Sequence, residues 1–179
     1  MVIDRRSLLL AASLTAIVRP AIGATPALET MARELLPGAG LVGHGRFTYL
    51  FWDVYDATLF APGGLYDPNA PHLLALTYLR DLDGDEIVER SFEEMRRQGP
   101  IQPADEKIWR DRLDAAIDDV SEGVTLACLR EKDGTSRFFR DAIETVEVSD
   151  PELTRRFLGI WLADTTSAPD LRRELVGTG

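Results

Sequence analysis

The chain has 179 residues, 45% of them hydrophobic and 28% charged, with a formal net charge of −10. That size suits one domain with a substantial core, and the balance excludes global disorder. So acidic a surface repels nucleic acid and anionic membranes, and no basic patch with interleaved aromatics offsets it.

The first 23 residues have the pattern of an export signal. Arg5-Arg6 form a basic start, Ser7 to Val18 an apolar run, and Ala21-Ile22-Gly23 a small-residue cleavage site. The run is too short to span a bilayer, which needs about 20 residues. Asp4-Arg5-Arg6-Ser7-Leu8-Leu9 resembles a twin-arginine signal, with Asp4 departing from its usual Ser or Thr. A general export signal that happens to hold two arginines is the other reading. Both put the mature chain, 24–179, in the periplasm or outside the cell, with no membrane span. Cys128, the single cysteine, has no internal partner and sits in the apolar run VTLACL as a core residue.

Thr25-Pro26 opens a first helix to about Leu36, ended by Pro37-Gly38. Leu41 to Gly64 is aromatic and β-branched and reads as two strands joined near Trp52-Asp53. Phe47, Tyr49 and Phe51 share one face of the first strand; Arg46 and Thr48 share the other. Arg46 and Thr48 either line a polar spot in an apolar cleft or face solvent. Leu73 to Leu79 reads as a buried strand.

Asp83 caps a helix with Ile87, Val88, Ser91, Phe92 and Met95 on one face, ended by Gln98-Gly99-Pro100. A Glu93–Arg97 pair is expected on its solvent side. The next helix, about Ala104 to Val120, turns Ile108, Leu113, Ala116, Ile117 and Val120 inward with Trp109 at its edge. Val124 to Leu129 pairs with Ser136 to Arg140 through the Lys132-Asp133-Gly134 turn, and Ile143 to Val148 follows. Ser149-Asp150-Pro151 starts a helix bearing Leu153, Phe157, Ile160 and Trp161, and Pro169 to Leu175 makes a last one. The order predicts an α+β protein with meandering strands and segregated helices.

No motif for a cofactor or metal is present: there is no GxGxxG, Walker loop, HxxxH, CxxC or GxSxG. His44 and His72 are expected at the surface or rim.

Several stretches resemble the bacterial branch of the chalcone isomerase-like family. They are Gly43-x-Gly45, Val54 to Leu59 (VYDATL), Tyr78-Leu79-Arg80-Asp81, Ile87 to Met95 (IVERSFEEM) and Phe157 to Leu162 (FLGIWL). The resemblance implies an open-faced β-sandwich, a curved antiparallel sheet with helices packed on one face and a cleft between the layers. Plant enzymes of similar fold close a flavanone ring, using an arginine on the first strand, a threonine, and a tyrosine and an asparagine near the following helix. Aligned on Gly43-x-Gly45 and Val54-Tyr55, the arginine position falls at or beside Phe47, the tyrosine position near Asp83 and the asparagine position near Arg90. That set is therefore not matched in place, and no catalytic residue is assigned.

The resemblance then favours a non-catalytic exported protein whose cleft holds a small hydrophobic or carboxylate-bearing molecule, fatty-acid-like or phenolic. Arg46, Thr48, Tyr78, Arg80 and Arg90 are the candidate contacts, because an arginine in an apolar cleft suits a carboxylate. Arg80 and Arg90 pairing with Asp81, Asp83 or Glu86 is the competing arrangement. An isomerase using Arg46 and Thr48, and a periplasmic accessory protein that binds another protein, are the other functional readings.

Overall fold

A computed structural model describes residues 25–177; the expected leader lies outside them. Helix α1 (Pro26–Leu35) starts on Thr25, whose hydroxyl accepts the Leu28 amide at 3.3 Å. Strands β1 (Ala39–Tyr49), β2 (Trp52–Pro62) and β3 (His72–Tyr78) follow, then helices α2 (Gly84–Arg97) and α3 (Pro103–Ala116). Strands β4 (Thr125–Arg130), β5 (Ser136–Arg140) and β6 (Ile143–Val148) precede α4 (Pro151–Leu162) and α5 (Pro169–Val176). All six strands pair antiparallel in sequence order in one open sheet.

Side chains alternate across this sheet, so it has two apolar faces. Leu74, Leu76, Leu126, Cys128 and Phe138 point to the inner face, where α2, α3, α4 and α5 supply Phe92, Leu113, Leu153, Phe157 and Leu175. Leu73, Ala75, Ala127, Leu129 and Phe139 point to the outer face, which α1 covers with Leu28, Met31 and Ala32, joined by Leu36 just past its end. The helices are thus massed on the inner face, with α1 alone closing the back. Carboxylate caps fix the helix starts. Asp83 accepts the Asp85 amide at 3.0 Å, and Asp150 accepts those of Glu152 and Leu153 at 3.0 Å.

Four expectations need correction. The bend between the first strands is a two-residue turn at Leu50-Phe51, earlier than Trp52-Asp53. Helix α3 stops at Ala116, and Val120 lies in extended chain bridged to Leu82. Within α3 the roles of neighbours are reversed: Trp109 is 4% exposed and Ile108 54%. The Trp109 indole N–H donates to Asp150 Oδ2 at 2.8 Å, so a hydrogen bond draws it to the start of α4. On α2, Glu93 pairs with Arg90 rather than Arg97.

Candidate functional site

Helix α5 crosses the inner face of β1 where Gly43 and Gly45 leave room for it. A Cβ on Gly43 would stand 2.0 Å from the Glu174 carbonyl oxygen and 2.6 Å from that of Leu175. Bulk returns two and four residues later on the same face, at Phe47 and Tyr49. There the helices stand away from the sheet, and a cleft of about 430 Å³ opens. Its floor is Phe47, Tyr55, Leu76, Tyr78 and Leu126; α2 contributes Ile87, Arg90, Ser91 and Glu94, and α4 contributes Phe157, Ile160 and Trp161. It reaches solvent beside Tyr49 and Trp52, both lining residues and both exposed.

An aromatic frame holds this space. Phe47 stacks on Tyr55 at 5.1 Å, and Tyr55 meets Tyr78 edge-on at 5.8 Å. The Trp161 indole N–H donates to Tyr55 Oη at 2.9 Å, tying α4 to β2. Burial pushes both phenols above the ordinary tyrosine range, so they stay protonated and able to donate.

Two arginines reach the cleft in different states. Arg90 is committed: its guanidinium donates to Glu93 at 2.9 Å and to the buried Glu94 at 2.6 Å. Arg80 lies with its guanidinium carbon 5.0 Å from the Trp52 ring centroid, and its buried Nε has no hydrogen-bond partner among the described residues. Neither pairs with Asp81, Asp83 or Glu86 among the described residues; Asp83 is spent on capping α2. The Tyr78 hydroxyl likewise makes no hydrogen bond to a described residue, burial being the cause of its shift. The cleft thus offers one unsatisfied cationic donor and the O–H groups of Tyr55 and Tyr78 in a mainly apolar room, an arrangement that selects an anionic or polar end on an apolar body.

Arg46 and Thr48 lie on the other face of β1. Arg46 Nε donates to Asp56 Oδ1 at 2.6 Å and its Nη1 to Asp53 Oδ2 at 3.0 Å; Thr48 Oγ1 donates to Asp53 Oδ1 at 2.8 Å. The pairing register sets Arg46 beside Asp56, so cross-strand charge accounts for both side chains. Of the five candidates, Tyr78, Arg80 and Arg90 therefore share the cleft wall, while Arg46 and Thr48 do not reach it. Tyr55, Trp52, Glu94 and Ser91 are lining residues that the sequence did not mark as ligand contacts. Tyr55 carried a signal, since it lies in register with the apolar positions Ala57 and Leu59.

Nothing on the wall has the form of a nucleophile with its base. The Cys128 thiol is pushed up to about 12 by burial, so it is not a thiolate. No group of three metal-ligating side chains occurs among the described residues. His72, expected at the surface or rim, is buried under Tyr66, its Nδ1–H donating to the Ala70 carbonyl at 2.9 Å.

No family model matches the chain. A protein of Haemophilus influenzae described only as uncharacterized is 23% identical over 137 residues, 76% of this chain and 67% of that one. Among solved structures, a fatty-acid binding protein of Arabidopsis thaliana superposes with a TM-score of 0.61 at 13% sequence identity, covering 79% of this chain and 88% of that one. The architecture is thus that of the chalcone isomerase-like fold: an open, curved, six-stranded antiparallel sheet with its helices layered on it. At this identity the likeness defines the fold.

Proposed function

We propose that this protein binds, without turnover, a small apolar molecule bearing a carboxylate or comparable acidic group, with the chain of the ligand between sheet and helices. The observation that carries this is the Arg80 guanidinium, left with a buried, unpartnered Nε on the wall of an apolar cleft of about 430 Å³. A buried donor without an acceptor is costly, and a ligand carboxylate relieves that cost. Tyr78 adds an O–H on the same cleft wall and Arg90 a second positive charge, already balanced by Glu93 and Glu94. The fatty-acid binding protein that shares the fold supports a ligand of this kind. Absence of turnover is inferred because Phe47 stands in the cleft where the ring-closing enzymes would carry an arginine, and Arg46 and Thr48 are engaged on the far face.

The test is a thermal-shift and native mass-spectrometry screen of fatty acids and phenolic enones, followed by an absorbance assay for enone loss. A bound acid raises the unfolding free energy, by about 2.7 kcal/mol at 100 times its dissociation constant. Turnover of an enone would overturn the reading.

Export belongs to the same proposal. The Arg5-Arg6 start and Ala21-Ile22-Gly23 site support removal of about the first 23 residues and action in the periplasm or outside the cell. Intact-mass measurement on protein from its own host checks this; a retained Met1 refutes it.

A further inference from the structure

The turn between β1 and β2 is built from residues that turns rarely use. Tyr49 and Trp52 pair at its base, and Leu50-Phe51 form its apex. These four consecutive side chains are 58%, 74%, 94% and 62% exposed in chain order. Two-residue hairpin turns favour Gly, Asn and Asp, which accept positive φ cheaply. Leu50 is instead held at φ 56, a strained conformation for a residue with a large side chain. The tip therefore gives up both backbone ease and hydration, and its apex gains no core contact in exchange. A contiguous exposed apolar cluster of this kind marks an interaction surface.

Position and charge identify the partner. Tyr49 and Trp52 are also lining residues of the cleft, so the tip is the rim of its mouth. The four tip residues carry no charge: Arg46, on the other face of β1, is neutralised by Asp53 and Asp56, and Arg80, which lies over the Trp52 ring, is the cleft's own cation, assigned to the ligand's acidic group. Among the described residues no lysine, and no arginine apart from Arg46 and Arg80, is placed at the tip to attract anionic head groups, and the chain as a whole is acidic. The order is aromatic, aliphatic, aromatic, aromatic. It places amphipathic Tyr and Trp rings at the base, where a head-group layer would lie, and Leu and Phe at the apex, where acyl chains begin.

We propose that the β1–β2 tip inserts into the surface of a neutral phospholipid bilayer and sets the cleft mouth against it. An apolar acid then moves between bilayer and cleft without crossing water. This rests on the reading of the cleft as a site for such an acid.

Trp52 makes the test specific, because Trp109 and Trp161, the other two tryptophans, are buried. The full chain is mixed with phosphatidylcholine vesicles carrying bromine on their acyl chains. Trp52 emission is expected to shift to the blue and to be quenched, which an N-terminal apolar run binding on its own would not produce. Leu50→Gly combined with Phe51→Ser, neither a lining residue, is expected to lower partitioning at least about tenfold, as loss of two buried apolar side chains requires. Glycine suits the turn, so a thermal melt of this variant should show an intact fold.

Three results would overturn the proposal: Trp52 left unquenched, tighter binding to phosphatidylglycerol vesicles than to phosphatidylcholine, or a lipid-free dimer that the tip variant dissociates. Decanoic acid binding measured without vesicles separates the two claims. Stabilisation by the acid with no Trp52 quenching removes the tip proposal and leaves the binder standing. Quenching with no acid bound by either protein removes the binder, and with it the transfer role.

Discussion

Trp161 and Tyr55, far apart in sequence, close the back of the cleft through one hydrogen bond of 2.9 Å from indole to phenol oxygen. The bond joins α4 to β2, and both rings also pack: Phe157 lies edge-on to Trp161 at 5.4 Å, and Phe47 stacks on Tyr55. Trp161→Ala is expected to cost roughly 3–5 kcal/mol, the range for deleting a large buried aromatic. Tyr55→Phe keeps the ring and strands only the indole N–H, for about 1–3 kcal/mol. Denaturant titration of both variants checks the order; a loss below about 1 kcal/mol for Trp161→Ala would place the indole outside the core.

Arg80 supplies a prediction that separates charge from shape. Arg80→Met keeps an apolar stem over Trp52 and removes the cationic donor. Affinity for decanoic acid is expected to fall roughly tenfold to a hundredfold, the worth of a hydrogen bond to a charged group. Methyl decanoate, lacking the carboxylate, should bind the two proteins alike. Equal losses for acid and ester in a titration by native mass spectrometry would mean that Arg80 only shapes the wall.

The two glycines of β1 differ in what faces them. A methyl group at Gly43 meets backbone oxygens of Glu174 and Leu175, which move only if α5 moves. At Gly45 it meets the Glu174 carboxylate at 2.0 Å and Leu171 Cδ1 at 2.8 Å, side-chain ends that can turn away. Gly43→Ala is therefore expected to cost at least about 1–3 kcal/mol, the usual range for overpacking, and Gly45→Ala less. Thermal unfolding of the pair measures the difference, and the reverse order would contradict this packing.

His72 makes stability depend on pH. Burial, its largest influence, pushes the imidazole down to about 4 from an ordinary 6.5; the bond to the Ala70 carbonyl opposes this, and nearby Arg130 assists it. The unfolded chain then binds a proton between pH 6.5 and 4 that the folded chain refuses. Stability therefore rises with pH in that window, and acidification through it removes on the order of a few kcal/mol, at about 1.4 per pH unit. Melting temperatures from pH 7 to 4 should fall less steeply for His72→Asn, whose amide can still donate to the Ala70 carbonyl. Parallel curves would show that other groups set the slope.

Much of the framework was legible because it follows from periodicity. β3 and β6 are short apolar or alternating runs between polar turns, and Asp83 and Asp150 announce their helices. The end of α3 was hidden because Ile117 and Val120 are buried both ways, as helix residues in a periodic reading and as extended chain in the fold. The turn at Leu50-Phe51 was hidden because it contains no turn residue. For the cleft, alternation shows that Arg46 and Thr48 share one face and Phe47 and Tyr49 the other. It does not show which face the helices cover. Asp53 and Asp56 held the missing clue, as acids placed to meet Arg46 across a hairpin.

The strictly sequential strand order bears on how the chain folds. β1–β3 and β4–β6 are two local meanders that can each zip up from hairpins, but β3 and β4 meet only after the α2–α3 excursion is closed. The cleft floor straddles that seam, with Leu76 on β3 opposite Leu126 on β4. Neither half alone contains the cavity, so binding competence is expected to appear in one late step. If the proposed acid binds, stopped-flow refolding in the presence of decanoic acid should show ligand uptake lagging the first rise in secondary structure; simultaneous signals would mean that the seam closes first.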